Sequence, residues 1–159
     1  MLKGLGKWKV LNSKEVRSIA EMVKQQWGAE LSGIRDKCGF LEGKDGDVFL
    51  IGRDIEKLDF EHLHLESLGL YFGQLRNDEL RLSIEGSQLI GKTAAKNVVE
   101  LNDGEFKLWL RGEDIEKTLI DCSGYVLIKH NSDFIGCGKC KDGKILNFVP
   151  KARRVSSVQ

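Results

Sequence analysis

Three short apolar stretches near the C-terminus decide the fold: GYVLIK at residues 124–129, FIGCGK at 134–139 and ILNFV at 145–149. Each stretch has the length of a β-strand, and β-branched or aromatic residues recur in all of them. Polar turns at residues 130–133 and 141–144 separate the stretches, so consecutive strands can pair as hairpins. Closely spaced strands with tight polar turns predict a small β-barrel or half-barrel.

Upstream of these strands, the sequence predicts one more strand and a short helix. Residues 98–101 form the strand, and Asn102 or Asp103 can cap a helix that runs to Leu110 and ends at Gly112. The residues expected to face inward are Phe106, Trp109 and Leu110.

The N-terminal half begins with an amphipathic helix. Asn12 can cap this helix, Glu15 can complete a capping box, and Gly28 is a natural stop. The apolar residues at helical spacing are Val16, Ile19, Ala20, Val23 and Trp27. We expect a surface helix that packs on a sheet, in preference to a recognition helix.

Two β-hairpins are predicted after this helix. The first pairs residues 39–42 with 47–51, and the second pairs 62–74 with 80–84. Residues 86–92 are the best candidate for a hinge.

The predicted fold class is therefore α+β, with two domains. A small α/β domain at residues 1–90 precedes a β-barrel-like domain at residues 91–159.

Charge is distributed unevenly along a chain whose net charge is only +1. Residues 1–91 carry 13 Lys and Arg against 15 Asp and Glu, whereas residues 129–159 carry 7 against 2. A nearly neutral chain with one basic end is the pattern expected when one surface contacts phosphate.

The sequence has no apolar run near 18 residues, which predicts that no segment crosses a membrane. The first eight residues lack the apolar stretch of a signal peptide. We therefore expect a cytoplasmic protein whose four cysteines are reduced.

An ordered series of motifs resembles a PUA-type RNA-binding domain. The series is LRGEDI at 110–115, GYVLI at 124–128, GCGK at 136–139, GKILN at 143–147 and PKARR at 150–154. It is most similar to the PUA domain at the C-terminus of the Nol/Nop/Sun (Fmu) family of rRNA cytosine methyltransferases. The segment 115–122 is shorter than the glycine-rich segment of the usual PUA domain, so RNA contacts made from that loop are not carried over.

The preceding segments, SLGLYFGQ at 67–74 and LRLSI at 80–84, are similar to the pre-PUA domain of Nip-type ribosome-biogenesis factors. The resemblance implies a non-enzymatic RNA-binding factor in ribosome maturation or RNA modification. Its partners would be rRNA or tRNA, and other ribosome-assembly or RNA-modification proteins. No catalytic residue or cofactor is predicted, because the related methyltransferases need a large cofactor-binding domain and 159 residues leave no room for one. No metal is predicted either.

Lysine and arginine side chains are the predicted RNA contacts, because they neutralise phosphates and release counterions. Arginine can also bind a phosphate or a base edge with two parallel hydrogen bonds. Gly136 and Gly138 would allow a base or a backbone to approach their strand closely. Tyr125 and Phe148 are candidates for base stacking, although both fit a core position. The predicted RNA-binding residues are Arg111, Tyr125, Lys139, Lys141, Lys144, Lys151, Arg153 and Arg154.

Two other functions stay open at this point. A protein-interaction adaptor could dock on an RNA-processing enzyme or assembly factor and use Leu68, Leu70 and Phe72 as a surface patch. A small metal-dependent enzyme could use the Cys137–Cys140 pair, which lacks the second pair that zinc sites require, or His62 and His64 on one strand face.

Overall fold

A computed structural model describes residues 8–53, 69–119 and 123–156. The described residues form four α-helices: α1 Ser13–Trp27, α2 Ser32–Lys37, α3 Ile84–Gly91 and α4 Asp103–Leu110. The first five strands are β1 Lys9–Val10, β2 Cys38–Glu42, β3 Asp47–Gly52, β4 Leu70–Arg76 and β5 Glu79–Leu82. The next five are β6 Val98–Glu100, β7 Ile115–Glu116, β8 Gly124–His130, β9 Asp133–Lys141 and β10 Lys144–Asn147. A 3-10 turn, Lys151–Arg153, follows β10.

Two five-stranded sheets organise the fold. The first is an antiparallel meander in the order β1-β2-β3-β4-β5, and the second has the order β6-β8-β9-β10-β7. In the second sheet only the β6–β8 pairing is parallel, and the other pairs are antiparallel. This arrangement confirms the α+β class and the curled, PUA-like second sheet.

The second sheet is buried on both faces. Tyr125, Leu127 and Cys137 join a core shared with α1 and the first sheet. Val126 and Ile128 point to the other face, where they pack with α4. Because alternate residues of a strand point to opposite faces, the continuous apolar run of β8 serves both cores.

The N-terminal helix forms as its local signals predict. The Asn12 side chain accepts a hydrogen bond from the Glu15 backbone N–H at 2.9 Å, and Gly28 ends α1 in the left-handed conformation. The capping box is only half formed, because the Glu15 carboxylate accepts from the Asn12 side-chain amide and not from the Asn12 backbone N–H. The first predicted hairpin is confirmed as β2 and β3.

The second predicted hairpin is confirmed as β4 and β5, although residues 62–68 of its first strand lie outside the described residues. Its second strand ends at Leu82, and residues 84–91 form helix α3. The predicted hinge at 86–92 is therefore wrong. The Ser83 hydroxyl caps α3 by accepting from the Gly86 N–H at 2.9 Å, and the Ser87 hydroxyl donates to the Ser83 carbonyl.

Small residues let α3 pack tightly between the sheets. A Cβ atom at Gly86 would collide with the Phe72 carbonyl oxygen, and one at Gly91 would collide with the Phe134 ring. Glycine in this segment permits close packing and does not mark a flexible joint. The predicted domain boundary after residue 90 falls at the end of this helix and stays a prediction.

Among the described residues, no helix is both long enough and apolar enough to span a membrane.

Helix α4 has the complete capping box that α1 lacks. The Asn102 side chain accepts from the Glu105 N–H, and the Glu105 carboxylate accepts from the Asn102 N–H. Burial acts to raise the pKa of Glu105, but the Asn102 N–H and the Lys117 ammonium at 3.1 Å outweigh it, so the pKa is lowered.

Glu105→Gln should therefore reduce stability in a pH-dependent way. A lowered folded-state pKa means that Glu105 stabilises the fold above its unfolded-state pKa, and that this contribution disappears as the pH falls. Glutamine keeps the capping geometry and removes the charge. Urea denaturation at a series of pH values from neutral to acid should show the two proteins converging in acid. A stability difference that does not change with pH would contradict the assignment.

Candidate nucleic-acid interface

Four of the predicted RNA-binding residues lie on two segments that contact each other beyond the C-terminal end of α4. We call Arg111, Lys151, Arg153 and Arg154 the C-terminal basic cluster. Arg111 follows the last residue of α4, and the other three lie in and just after the 3-10 turn. The negative end of the α4 dipole favours cations at this position.

Backbone contacts hold this segment in place. The Val155 N–H donates to the Leu110 carbonyl at 2.8 Å, and the Arg154 Nε donates to the Val149 carbonyl at 3.0 Å. The Arg154 side chain crosses Gly112, where a Cβ atom would collide with it. Arg154 is thus partly structural, so it is not a simple surface charge.

The other members of the cluster differ in how their charges are paired. Arg153 forms an ion pair with Glu85 of α3, and Arg111 lies 3.9 Å from the Glu113 carboxylate. The Lys151 side chain is exposed.

Lys141 and Lys144 form a separate group at the other end of β10. They face each other across the β9–β10 turn, at the start of β10, whereas three members of the C-terminal basic cluster follow the end of that strand. Lys117, which the sequence analysis missed, lies beside this turn, where its backbone N–H donates to the Gly143 carbonyl. The single predicted basic surface is therefore two groups of cations on one domain.

Two predicted RNA contacts belong to the core side of the sheet. Tyr125 is 6% exposed and packs against Phe148, with 6.2 Å between ring centroids. The Lys139 ammonium lies 5.0 Å from the Tyr125 ring centroid. Tyr125 is therefore a core residue and cannot stack on a base, because β8 is covered on both faces.

Trp109 fills the space on the Cβ side of Gly136 and Gly138. Its indole lies 3.5 Å from the position of a Gly136 Cβ and 3.0 Å from that of a Gly138 Cβ. On this side of β9 the glycines accommodate a tryptophan of the same chain, whereas Gly136 also lines the cleft described below.

The Cys137–Cys140 pair does not form one site. Residues three apart on a strand point to opposite faces, and Cys137 and Cys140 pack in different cores. Burial raises the pKa of Cys137 to about 12, which disfavours the thiolate that binds metals. Cys140 is disulfide-bonded, so the expectation of reduced thiols is wrong there. His62 and His64 lie outside the described residues.

Of the two described members of the predicted apolar patch, one lies in the core and one at the surface. Phe72 is fully buried, and Leu70 is 38% exposed. Leu68 lies outside the described residues.

A cleft of about 400 Å³ opens between the two sheets, next to the C-terminal basic cluster. Its lining includes Leu70, Tyr71, Arg81, Glu85, Phe148 and Arg153. Arg81 was missed by the sequence analysis, because strand alternation predicts only that it faces away from Leu80 and Leu82. Its contact with Phe148 joins residues 67 positions apart.

Residues 96–155 match the family model described as the methyltransferase RsmF PUA domain. This segment is a PUA domain of the Nol/Nop/Sun type. It contains the whole C-terminal basic cluster and the second sheet, which confirms the resemblance carried by the motif series.

Curated relatives extend the similarity beyond the PUA domain. The chain is 26% identical over 138 residues to the ribosomal RNA small subunit methyltransferase F of Vibrio cholerae, covering 87% of this chain. It is 23% identical over 113 residues to the protein of the same name from Aeromonas hydrophila, covering 71% of this chain. These alignments cover 28% and 24% of the relatives, so the chain spans about a quarter of their length. The likeness of residues 67–84 to Nip-type factors stays a prediction.

Proposed function

We propose that this chain binds ribosomal RNA of the small subunit, and that the C-terminal basic cluster of its PUA domain is the principal contact. Its role is to hold RNA during rRNA modification, and a separate enzyme transfers the methyl group. Such a role places the protein in the cytoplasm, with the RNA-modification machinery as its partner.

The observation that carries this proposal is the coincidence of the PUA match with the clustered cations. The match at residues 96–155 includes all four members of the C-terminal basic cluster. Lys151 is exposed, and the Arg111 side chain is 43% exposed, so both can reach a phosphate. Phosphate contacts supply most of the sequence-independent affinity for nucleic acid.

The test is fluorescence anisotropy with labelled fragments of small-subunit rRNA over a salt series, with tRNA as the comparison. Arg111→Ala/Lys151→Ala should weaken binding about tenfold, since it removes two cations that neutralise phosphates. The slope of log affinity against log salt should also fall by about 0.7–0.9 for each phosphate that is no longer neutralised. Arg154 is left intact because it also holds the C-terminal segment.

A matched control is Lys14→Ala/Arg17→Ala, which removes two exposed charges from α1. It should bind like the native protein. A third variant, Lys141→Ala/Lys144→Ala, measures how much the other cation group contributes. The proposal fails if the native protein binds no fragment at low salt, or if the control weakens binding as much as Arg111→Ala/Lys151→Ala.

A further inference from the structure

The cleft between the sheets combines aromatic walls with charged groups. Tyr71 is 36% exposed and Leu70 is 38% exposed, so both present apolar surface to solvent. The Arg81 guanidinium lies 4.7 Å from the centroid of the half-buried Phe148 ring. The ion pair between Arg153 and Glu85 also borders the cleft.

These groups match the chemistry of an unstacked nucleobase. A base has two apolar π-faces, which stack on aromatic rings and on arginine guanidinium planes. Its edge carries N–H groups that can donate to a carboxylate such as that of Glu85, and the phosphate of the same nucleotide can bind Arg153. The volume of about 400 Å³ is within the range of about 300–1,000 Å³ for small-ligand pockets.

The position of the cleft connects it to the phosphate contacts. Arg153 lines the cleft and also belongs to the C-terminal basic cluster. A strand with a phosphate on Lys151 would therefore pass close to Arg153, which lies in the same 3-10 turn and lines the cleft. Bases of a duplex stay stacked and cannot enter, whereas a single strand can turn one base inward.

We infer that the cleft binds one unstacked base of single-stranded RNA, with Tyr71 and Arg81 as its recognition residues. The inference rests on the proposed function and deepens it, because it names the form of RNA that this chain prefers. Tyr71 is held in place from the first sheet, where its hydroxyl donates to the Asp47 carboxylate at 3.1 Å and its ring lies 5.2 Å from that of Phe49.

The experiment compares a short labelled single-stranded RNA with the same RNA annealed to its complement. Tyr71→Ala and Arg81→Met should each weaken single-strand binding about fivefold or more, which is the lower end of the effect of removing one base-stacking side chain. Duplex binding should not change. Tyr71→Phe should lose less single-strand affinity than Tyr71→Ala, because it keeps the stacking ring although it removes the hydroxyl that donates to Asp47.

Arg76→Met is the matched control for Arg81→Met, since Arg76 is exposed at the end of β4 and away from the cleft lining. It should affect both RNAs slightly and equally. Arg81→Met also gives a second test if Tyr71→Ala does not fold. If both RNAs bind but neither cleft variant alters single-strand affinity, the inference is wrong and the proposed function stands. Failure of the native protein to bind either RNA overturns both.

Discussion

Trp109→Ala is expected to lower the free energy of unfolding by about 3–5 kcal/mol. Trp109 is fully buried and is the largest side chain of the second core, which lies between α4 and the second sheet. Its indole fits against Gly136 and Gly138, which have no side chains with which to fill the vacated space. The decrease is a large part of the roughly 5–15 kcal/mol that stabilises a typical domain.

Urea denaturation followed by circular dichroism would measure the change, with Trp109→Phe as the matched variant. The Trp109 indole N–H is buried with no hydrogen-bond partner among the described residues, so phenylalanine reduces the volume without removing a hydrogen bond. Trp109→Phe should therefore recover more than half of the decrease. Equal destabilisation by alanine and phenylalanine would mean that the N–H has a partner.

Trp109→Ala should also weaken RNA binding, although the buried Trp109 side chain cannot contact RNA. The Trp109 carbonyl accepts from the Asn147 side-chain amide at 2.9 Å and from the Gly112 N–H at 3.0 Å. These bonds place the turn after α4 against the end of β10, where the C-terminal basic cluster lies. A loosened α4 disperses those charges, and that reduces affinity at every salt concentration.

Gly86→Ala is the second large expected effect, with a destabilisation of about 1–3 kcal/mol or more. The new Cβ would collide with the Phe72 carbonyl oxygen, which is a backbone atom of β4 and cannot rotate away. That carbonyl also accepts from the Ser83 N–H at 2.9 Å. Relief of the collision therefore separates the start of α3 from the first sheet and deforms the wall of the cleft.

Gly33→Ala is the control for this prediction. Gly33 also lies in a helix, and nothing lies within 4 Å of the position of its Cβ. Alanine there should be neutral or should stabilise the protein by up to about 1 kcal/mol. Thermal and urea unfolding would compare the two variants. Equal effects at Gly86 and Gly33 would show that helix propensity, and not packing, determines the result.

The sequence by itself determined the elements whose signals are local. Helix α1 begins at the Asn12 cap and ends at Gly28, as predicted, and α4 begins at Asn102, one of the two caps that the sequence offered. The hairpins and four strands of the second sheet followed from short apolar runs separated by polar turns, whereas the two-residue strand β7 was not predicted. Each of these signals depends on neighbours within a few residues, so no knowledge of distant contacts was needed.

Only the tertiary structure decided what those elements do. Residues 84–91 became a packed helix because Gly86 and Gly91 fit against Phe72 and Phe134. Tyr125 became a core residue because both faces of β8 are covered, and the predicted basic surface separated into two groups at the ends of β10. Arg81 joined Phe148 across the cleft. These outcomes depend on contacts between residues far apart in the chain. Hydrophobic and charge patterns predict local elements, but they do not predict which distant surfaces contact each other.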